Sequence, residues 1–371
     1  MRHMICCLLL LALIGMPAYA QELPDGSTVL DYITQNPEDV AVLCYTPGET
    51  VQIAHNADEP FPLASTYKLV ILAELARQTD LGLIDPNEAV PLADVNAYWL
   101  PNTDGHAHQM FLDTLPPEQD TLTVQAIANG MIQFSSNAAA DYLFARLDLD
   151  GYPDLFQRLG LENTDLPTST FLGLYLAAEN HESGRADLDT LDAERERLEN
   201  LFLTDTAWRD AEIDYWADRV ERIQQAIADQ NYEALMEDYA WQASFFERFG
   251  FKGSARDMLR IIESAYQGDT FSERGQVVMQ EALGWLMRVN PANREVYNAL
   301  GTKGGTWAAI LTGAWYAEPK DGDPILLAVF YRDLPFEVFG EWSANFTHQT
   351  LEVRAVAYGE GCDVFADAVQ S

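Results

Sequence analysis

The stretch FPLASTYKLVILAEL, residues 61–75, sets Ser65 and Lys68 at the head of an apolar run. Residues three apart share one face of a helix, so the two side chains touch if a helix begins at or before the serine. Pro62 and the Ala-Ser-Thr sequence are start signals for such a helix. At a helix N-terminus the backbone N–H groups favour negative charge. A lysine whose pKa is lowered by burial could there take the serine proton as a neutral amine. Taken alone, the spacing fits better a capping serine beside a lysine whose stem lies along apolar surface and whose head reaches water.

Two downstream segments change that balance. MIQFSSNAAADYL (131–143) places Ser135-Ser136-Asn137 beside a helix of small residues, and ALGTKGGTWAAIL (299–311) places Lys303-Gly304-Gly305-Thr306 at the start of a strand. With Ser65 and Lys68, this order and spacing resembles the penicillin-recognising serine hydrolases, most closely the class A β-lactamase type, whose motifs are S-x-x-K, S-D-N and K-T-G. The stretch VAVLCYTPGETVQIAHNADEPFPLASTYKL (40–69) is similar to that family throughout, and the likeness extends over nearly all of the chain after residue 20 except 183–250.

The resemblance implies roles. Ser65 becomes acylated, and Lys68 is its general base or a proton relay. Ser135 passes the proton to the leaving nitrogen, and Asn137 holds the substrate's side-chain amide. Lys303 supplies positive field for a substrate carboxylate and helps to depress the Lys68 pKa. The backbone N–H groups of Ser65 and Thr306 form an oxyanion hole, in which each donor is worth about 3 kcal/mol. Gly305 lets the strand approach the ligand closely.

Three departures qualify it. Ser136 stands where the family has Asp, and Gly304 replaces the hydroxyl residue after the lysine, with Thr306 able to compensate in part. The glutamate that frees the class A acyl-enzyme has no counterpart in LGLENTDLPTSTFLGLYLAAENHESG (159–184), where counting places Ser169 or Thr170. Glu162 falls too early, leaving Glu179 and Glu182 as candidate deacylation bases, against the plainer reading that all three are solvated. The implied function is class A-type hydrolysis of the C–N bond in a cyclic amide. D-Ala-D-Ala carboxypeptidase or esterase activity, and a penicillin-binding sensor without turnover, are the alternatives.

The fold expected is the α/β (α+β) β-lactamase/DD-peptidase-like fold. An antiparallel sheet drawn from about 38–62 and 297–371 packs against helices, and a helical subdomain spans about 63–296. DVAVLCYTPGETVQIAHN reads as two strands about a Pro-Gly turn, and VQAIANGMIQFSSNAAADYLFARL as a buried helix pair. TWAAILTGAWYAE and PILLAVFYRDL read as strands joined by PKDGD, and one last helix runs from about Gly340 through TLEVRAVAYG. Within the insertion at about 183–250, Ile213, Trp216, Val220, Ile223 and Ile227 form an amphipathic stripe, and NYEALMEDYAWQASFFERFG a second helix. A helical hairpin docked on the domain follows, as a lid, a partner surface or an elaboration.

Residues 1–20, MRHMICCLLLLALIGMPAYA, read as a secretory signal peptide cut after Ala20, with the rest (21–371) secreted or periplasmic. Cys44 and Cys362 then remain as candidates for one disulfide or for two buried thiols. In the resembled fold the first strand and last helix are neighbours, which favours the disulfide. A net charge of −36 argues against nucleic acid and anionic membranes as partners, and no stretch is apolar enough to span a bilayer. A monomer acting on a small molecule, a β-lactam or D-Ala-D-Ala-type peptide, without cofactor or metal, is the expectation. His106 and His108 in HAHQM could share a metal only on an extended strand, and no third ligand suggests itself. Tyr98 or Trp99 is a candidate wall of the cleft, or a packing aromatic.

Overall fold

The structure, a computed structural model, describes residues 26–186, 194–268 and 270–369. The leader segment at 1–20 lies outside the described residues. In chain order the principal elements begin with α1 (Ser27–Gln35), β1 (Val40–Tyr45), β2 (Ile53–His55) and α2 (Lys68–Asp80), the last entered through a 3-10 turn at Ala64–Tyr67. There follow α3 (Val124–Gln133), α4 (Asn137–Arg146), α5 (Phe171–Ala178), α6 (Arg195–Thr204), α7 (Thr206–Ala228), α8 (Tyr232–Phe249), α9 (Ala255–Tyr266) and α10 (Glu273–Leu283). The chain closes with β3 (Tyr297–Trp307), β4 (Ile310–Pro319), β5 (Ile325–Tyr331), α11 (Phe336–Asn345) and α12 (Thr350–Ala357).

The five strands form one antiparallel sheet in the order β2-β1-β5-β4-β3, joined across its middle by pairs from Val40↔Tyr331 to Tyr45↔Leu326. Successive side chains of a strand point to opposite faces, and here both faces are covered. Ala41 and Leu43 of β1, with Leu326, Ala328 and Phe330 of β5, enter the core shared with the helical half. Val40, Val42 and Cys44, with Leu327, Val329 and Tyr331, enter a second core closed by α1, α11 and α12. Two-sided burial is why VAVLCY and ILLAVFY read as unbroken apolar runs. Cys44 is bonded to Cys362 across this second core, 318 positions away in sequence.

Helix α2 is the axis of the helical half, with every residue from Lys68 to Thr79 buried. A helix buried on all sides must pair its polar groups. Arg77 grips Glu74 through two bonds of 2.7 Å, and Gln78 donates to the same carboxylate at 2.8 Å. Lys68 is 0 % exposed, so the reading of a lysine that reaches water does not hold.

Other expectations need correction. The motif Lys303–Thr306 lies at the end of edge strand β3, not at a strand start, because TWAAIL contains a two-residue turn at Ala308-Ala309, with Ala309 at φ +66°. The single C-terminal helix is broken where Phe346 takes φ +57°. Helix α1, which the sequence reading omitted, covers the outer core through Val29 and Ile33.

Residues 195–249 form α6 followed by the hairpin α7–α8. Leu198, Phe202, Trp208, Trp216, Phe245 and Phe246 are buried. Of the apolar stripe on α7 only Trp216 is buried, and Ile227 is half exposed. The outer half of α8 leans on α11, where Tyr239 packs on Phe336 and Phe339 and donates its hydroxyl to the Leu334 carbonyl.

Candidate active site

Ser65 sits in the 3-10 turn that leads into α2, beside the end of β3. The turn is tied to the sheet by buried hydroxyls: Thr66 Oγ1 donates to Thr312 Oγ1 at 2.7 Å, which donates to the Leu63 carbonyl at 3.0 Å. A Cβ at Gly305 would stand 2.7 Å from the Ser65 nitrogen and 2.6 Å from the Leu63 oxygen, so only glycine allows this approach. At Gly304 an added Cβ would stand 3.3 Å from the Thr312 backbone oxygen, a tight contact but milder than the clash at Gly305. Ala64 (φ +45°) and Ser135 (φ +67°) both adopt the left-handed region. Such strain in non-glycine residues gathers at functional sites.

Lys68 Nζ lies 2.9 Å from Ser65 Oγ, 2.6 Å from the Ser135 carbonyl oxygen, 2.7 Å from Asn137 Oδ1 and 3.3 Å from Ser135 Oγ. A neutral amine has two N–H groups and one lone pair. Two of these neighbours, the Ser135 carbonyl and Asn137 Oδ1, can only accept. They hold both N–H groups and leave the lone pair for the Ser65 hydroxyl. Burial lowers the Lys68 pKa to about 7, against the opposing pull of the nearby Asp104 and Asp141 carboxylates. Burial is the first cause of the depression. Lys303 Nζ stands 3.0 Å from Ser135 Oγ, so that hydroxyl bridges the two lysines. Ser65, Ser135 and Asn137 are half-buried and Thr306 is exposed, so the cluster opens on a cleft.

Ser136 is held by His108, which the sequence reading weighed only as a metal ligand. Its Oγ accepts from the Ala139 N–H at 3.0 Å, capping α4, and lies 2.8 Å from His108 Nδ1. Asn96 Oδ1, 2.9 Å from Nε2, can only accept, so Nε2 carries the proton; in a neutral ring Nδ1 is then the acceptor and the Ser136 hydroxyl donates to it. Burial lowers the His108 pKa to about 4, consistent with a neutral ring. His108 lies on a short helix, Ala107–Leu112, and not on the extended strand that sharing a metal with His106 would need.

The deacylation candidates fall elsewhere. Glu179 is buried, which overturns the reading of a solvated residue, but its carboxylate accepts from Arg219 Nε at 3.0 Å and Tyr215 Oη at 2.9 Å. Glu182 is half exposed beside Arg197, and Glu162 is exposed. Thr170 caps α5 through the Gly173 N–H at 2.9 Å, and Ser169 Oγ is 3.5 Å from Arg195 Nη1. The side chain that faces the lysine is Phe171, whose ring centre is 4.9 Å from Lys68 Nζ. Asp141, buried on α4, fixes this segment by accepting the Phe171 and Leu172 N–H groups at 2.7 and 2.8 Å. Burial pushes the Asp141 pKa up to about 8. Asp104, Asp141, His108 and Phe171 were not anticipated as parts of the site. Only the steps of three and four residues among Phe171, Leu174, Tyr175 and Ala178 hinted at a buried helix face there. Tyr98 packs on Tyr142 and Trp99 on His108, and it is Asn102 and Thr103 that line the adjoining cavity.

A family model described as the beta-lactamase enzyme family matches residues 27–335. The chain belongs to this family. No curated protein matches it by sequence. Among solved structures, a beta-lactamase from Sphaerobacter thermophilus is 16% identical, with 89% of this chain and 96% of that chain covered at a TM-score of 0.53. A beta-lactamase from Chitinophaga pinensis is 12% identical over 88% and 98%, at 0.50. A variant of the last common ancestor of Gram-negative bacterial class A beta-lactamase is 15% identical over 90% and 99%, also at 0.50. The beta-lactamase fold is thus shared with proteins of very different sequence.

Proposed function

We propose that this chain is a serine hydrolase that attacks β-lactam and D-Ala-D-Ala-type amides through an acyl-enzyme on Ser65. The observation that carries the reading is Lys68, fully buried and with both N–H groups occupied, 2.9 Å from the hydroxyl it would deprotonate. Ser65 Oγ forms a bond to the amide carbonyl carbon as its proton passes to Lys68 Nζ. When the tetrahedral intermediate collapses, the C–N bond breaks and the leaving nitrogen takes a proton from Ser135 Oγ, which is resupplied from Lys68. The backbone N–H groups of Ser65 and Thr306 are the donors for the developing oxyanion. Lys303 holds the substrate carboxylate and Asn137 the amide on the acyl side.

Release of the acyl group is where this chain differs. Phe171 lies beside Lys68 where a water-activating carboxylate would be useful, and Glu179 is engaged by arginine. Lys68 alone then activates water, so a β-lactam acyl-enzyme is long-lived. This favours the peptidase or penicillin-binding branch of the reading over rapid β-lactam turnover. Export belongs to the same proposal, since the leader at 1–20 and the Cys44–Cys362 bond both suit an oxidising compartment.

The test pairs a chromogenic cephalosporin with a fluorescent penicillin. Stoichiometric labelling that persists for minutes, is lost in Ser65→Ala and comes with little colour is the expected result. Rapid colour without persistent label would return the chain to the lactamase reading, and no label with either would defeat the acyl-enzyme mechanism.

A further inference from the structure

Beside the catalytic cluster lies a cavity of about 90 Å³ that the inserted hairpin completes. The catalytic half contributes Tyr175 on α5 and Trp307, the residue after Thr306; their rings meet at 5.2 Å. The insertion contributes Trp216 and Arg219 from α7 and Trp241 and Phe245 from α8. Continuity with the site runs through Tyr175, whose hydroxyl is hydrogen-bonded to the Asn137 side chain. Asn137 Oδ1 is taken by Lys68, so it is the amide N–H of Asn137 that faces Tyr175.

Size, charge and order of the walls restrict what enters. Whole-ligand pockets run to about 300–1,000 Å³, so this cavity suits a single substituent the size of a small ring or a branched alkyl group. Arg219 donates to Glu179 and to Asp238 at 3.0 and 2.7 Å, and Arg185 is bonded to the same Asp238. Two cations thus meet two carboxylates behind the cavity, and no net charge is left to receive an ionised group, whose desolvation would go uncompensated. Trp241 stacks on Phe245 at 5.6 Å with planes 8° apart, and Arg185 lies 4.8 Å from its ring centre. Trp307 donates its indole N–H to the Gln242 carbonyl at 3.0 Å. The walls are fixed before any ligand arrives, as a selective subsite requires.

We propose that the hairpin insertion builds an acyl-side specificity subsite for an uncharged aromatic or branched apolar substituent, carried by the substrate next to the amide that Asn137 holds. This rests on the acyl-enzyme reading given above.

The experiment compares Ser65 acylation by benzylpenicillin, which carries a phenylacetyl group, with acylation by 6-aminopenicillanic acid, which carries none. Trp241→Ala removes a wall, and Ala178→Phe, at another lining position, fills the cavity from the opposite side. Each should lower the ratio of the two acylation rate constants by about tenfold, the scale for loss of apolar pocket contacts. An unchanged ratio in both variants overturns the subsite. Should neither penicillin label Ser65, the acyl-enzyme reading fails and a second arm decides the subsite alone. Millimolar phenylacetylglycine should then quench tryptophan fluorescence saturably, acetylglycine should not, and Ala178→Phe should abolish the effect. Equal behaviour of the two ligands, or no effect of Ala178→Phe, overturns it.

Discussion

Acylation by this protein should follow the titration of Lys68. With its pKa lowered from 10.5 to about 7, roughly half of the amine is unprotonated at pH 7. An ordinary lysine would offer only about 0.03% at that pH, so burial supplies on the order of 10³ more base. In free energy the shift corresponds to about 5 kcal/mol of differential cost for the ammonium form. The second-order rate constant for labelling by a fluorescent penicillin should rise about tenfold per pH unit below about pH 6.5 and level off above about pH 8. Asp104→Asn provides the perturbation. Asp104 is the foremost group opposing the depression; it accepts from the backbone N–H groups of His108, at 3.0 Å, and Asn137, and an asparagine oxygen can still accept from His108. Removing a neighbouring negative charge destabilises the ammonium, so the midpoint must move to lower pH, by about half a unit to one unit. Stopped-flow labelling from pH 5 to 9, with circular dichroism to confirm folding, reads both quantities. A wild-type midpoint above pH 9, or an upward move in Asp104→Asn, would refute Lys68 as the general base.

Phe171→Glu would set a carboxylate beside Lys68, and the lifetime of the labelled acyl-enzyme should shorten about 10²-fold, whereas Glu179→Gln should leave it unchanged; decay of the fluorescent adduct checks both. Glu352 is buried and accepts the Trp315 indole N–H, and burial pushes its pKa from 4.5 up to about 8. The folded state therefore holds this proton more tightly than the unfolded chain, and stability falls as pH rises from about 4.5 to 8, by on the order of 2–4 kcal/mol. Urea unfolding at pH 5 and pH 8 should show the fall, and Glu352→Gln should lessen it. Arg219→Leu would leave the buried Glu179 and Asp238 carboxylates short of a partner and should cost about 3 kcal/mol in urea unfolding, while Arg222→Leu, on the outer part of the same helix, should cost less than about 0.5 kcal/mol.

What could be read along the chain was local or periodic. The step from Ser65 to Lys68 is one helical turn, and the doubly apolar runs of β1 and β5 announce strands covered on both faces. The order of the three motifs names the family, because each motif is a few neighbouring residues whose geometry the backbone alone sets. Breaks in regular structure were less legible. The turn at Ala308-Ala309 and the interruption at Phe346 place non-glycine residues at positive φ, where composition gives no warning and tertiary packing decides.

The chemistry of the site belongs mostly to the second category. A lysine beside apolar residues on α2 could have reached water. It is a candidate base because α2 is buried on every side and because Ser135 and Asn137, nearly seventy residues on, occupy both of its N–H groups. Counting residues put Ser169 or Thr170 opposite Lys68, but the capping of α5 by Thr170 and the grip of Asp141 on its first two amides turn Phe171 there instead. Glu179 looked available until Arg185 and Arg219 closed on it. The sequence by itself determined which residue types stand at the site and in what order. Tertiary structure decided their protonation, their accessibility and the aromatic cavity beside them. Desolvation and charge pairing are sums over neighbours distant in the chain, and no local pattern contains such a sum.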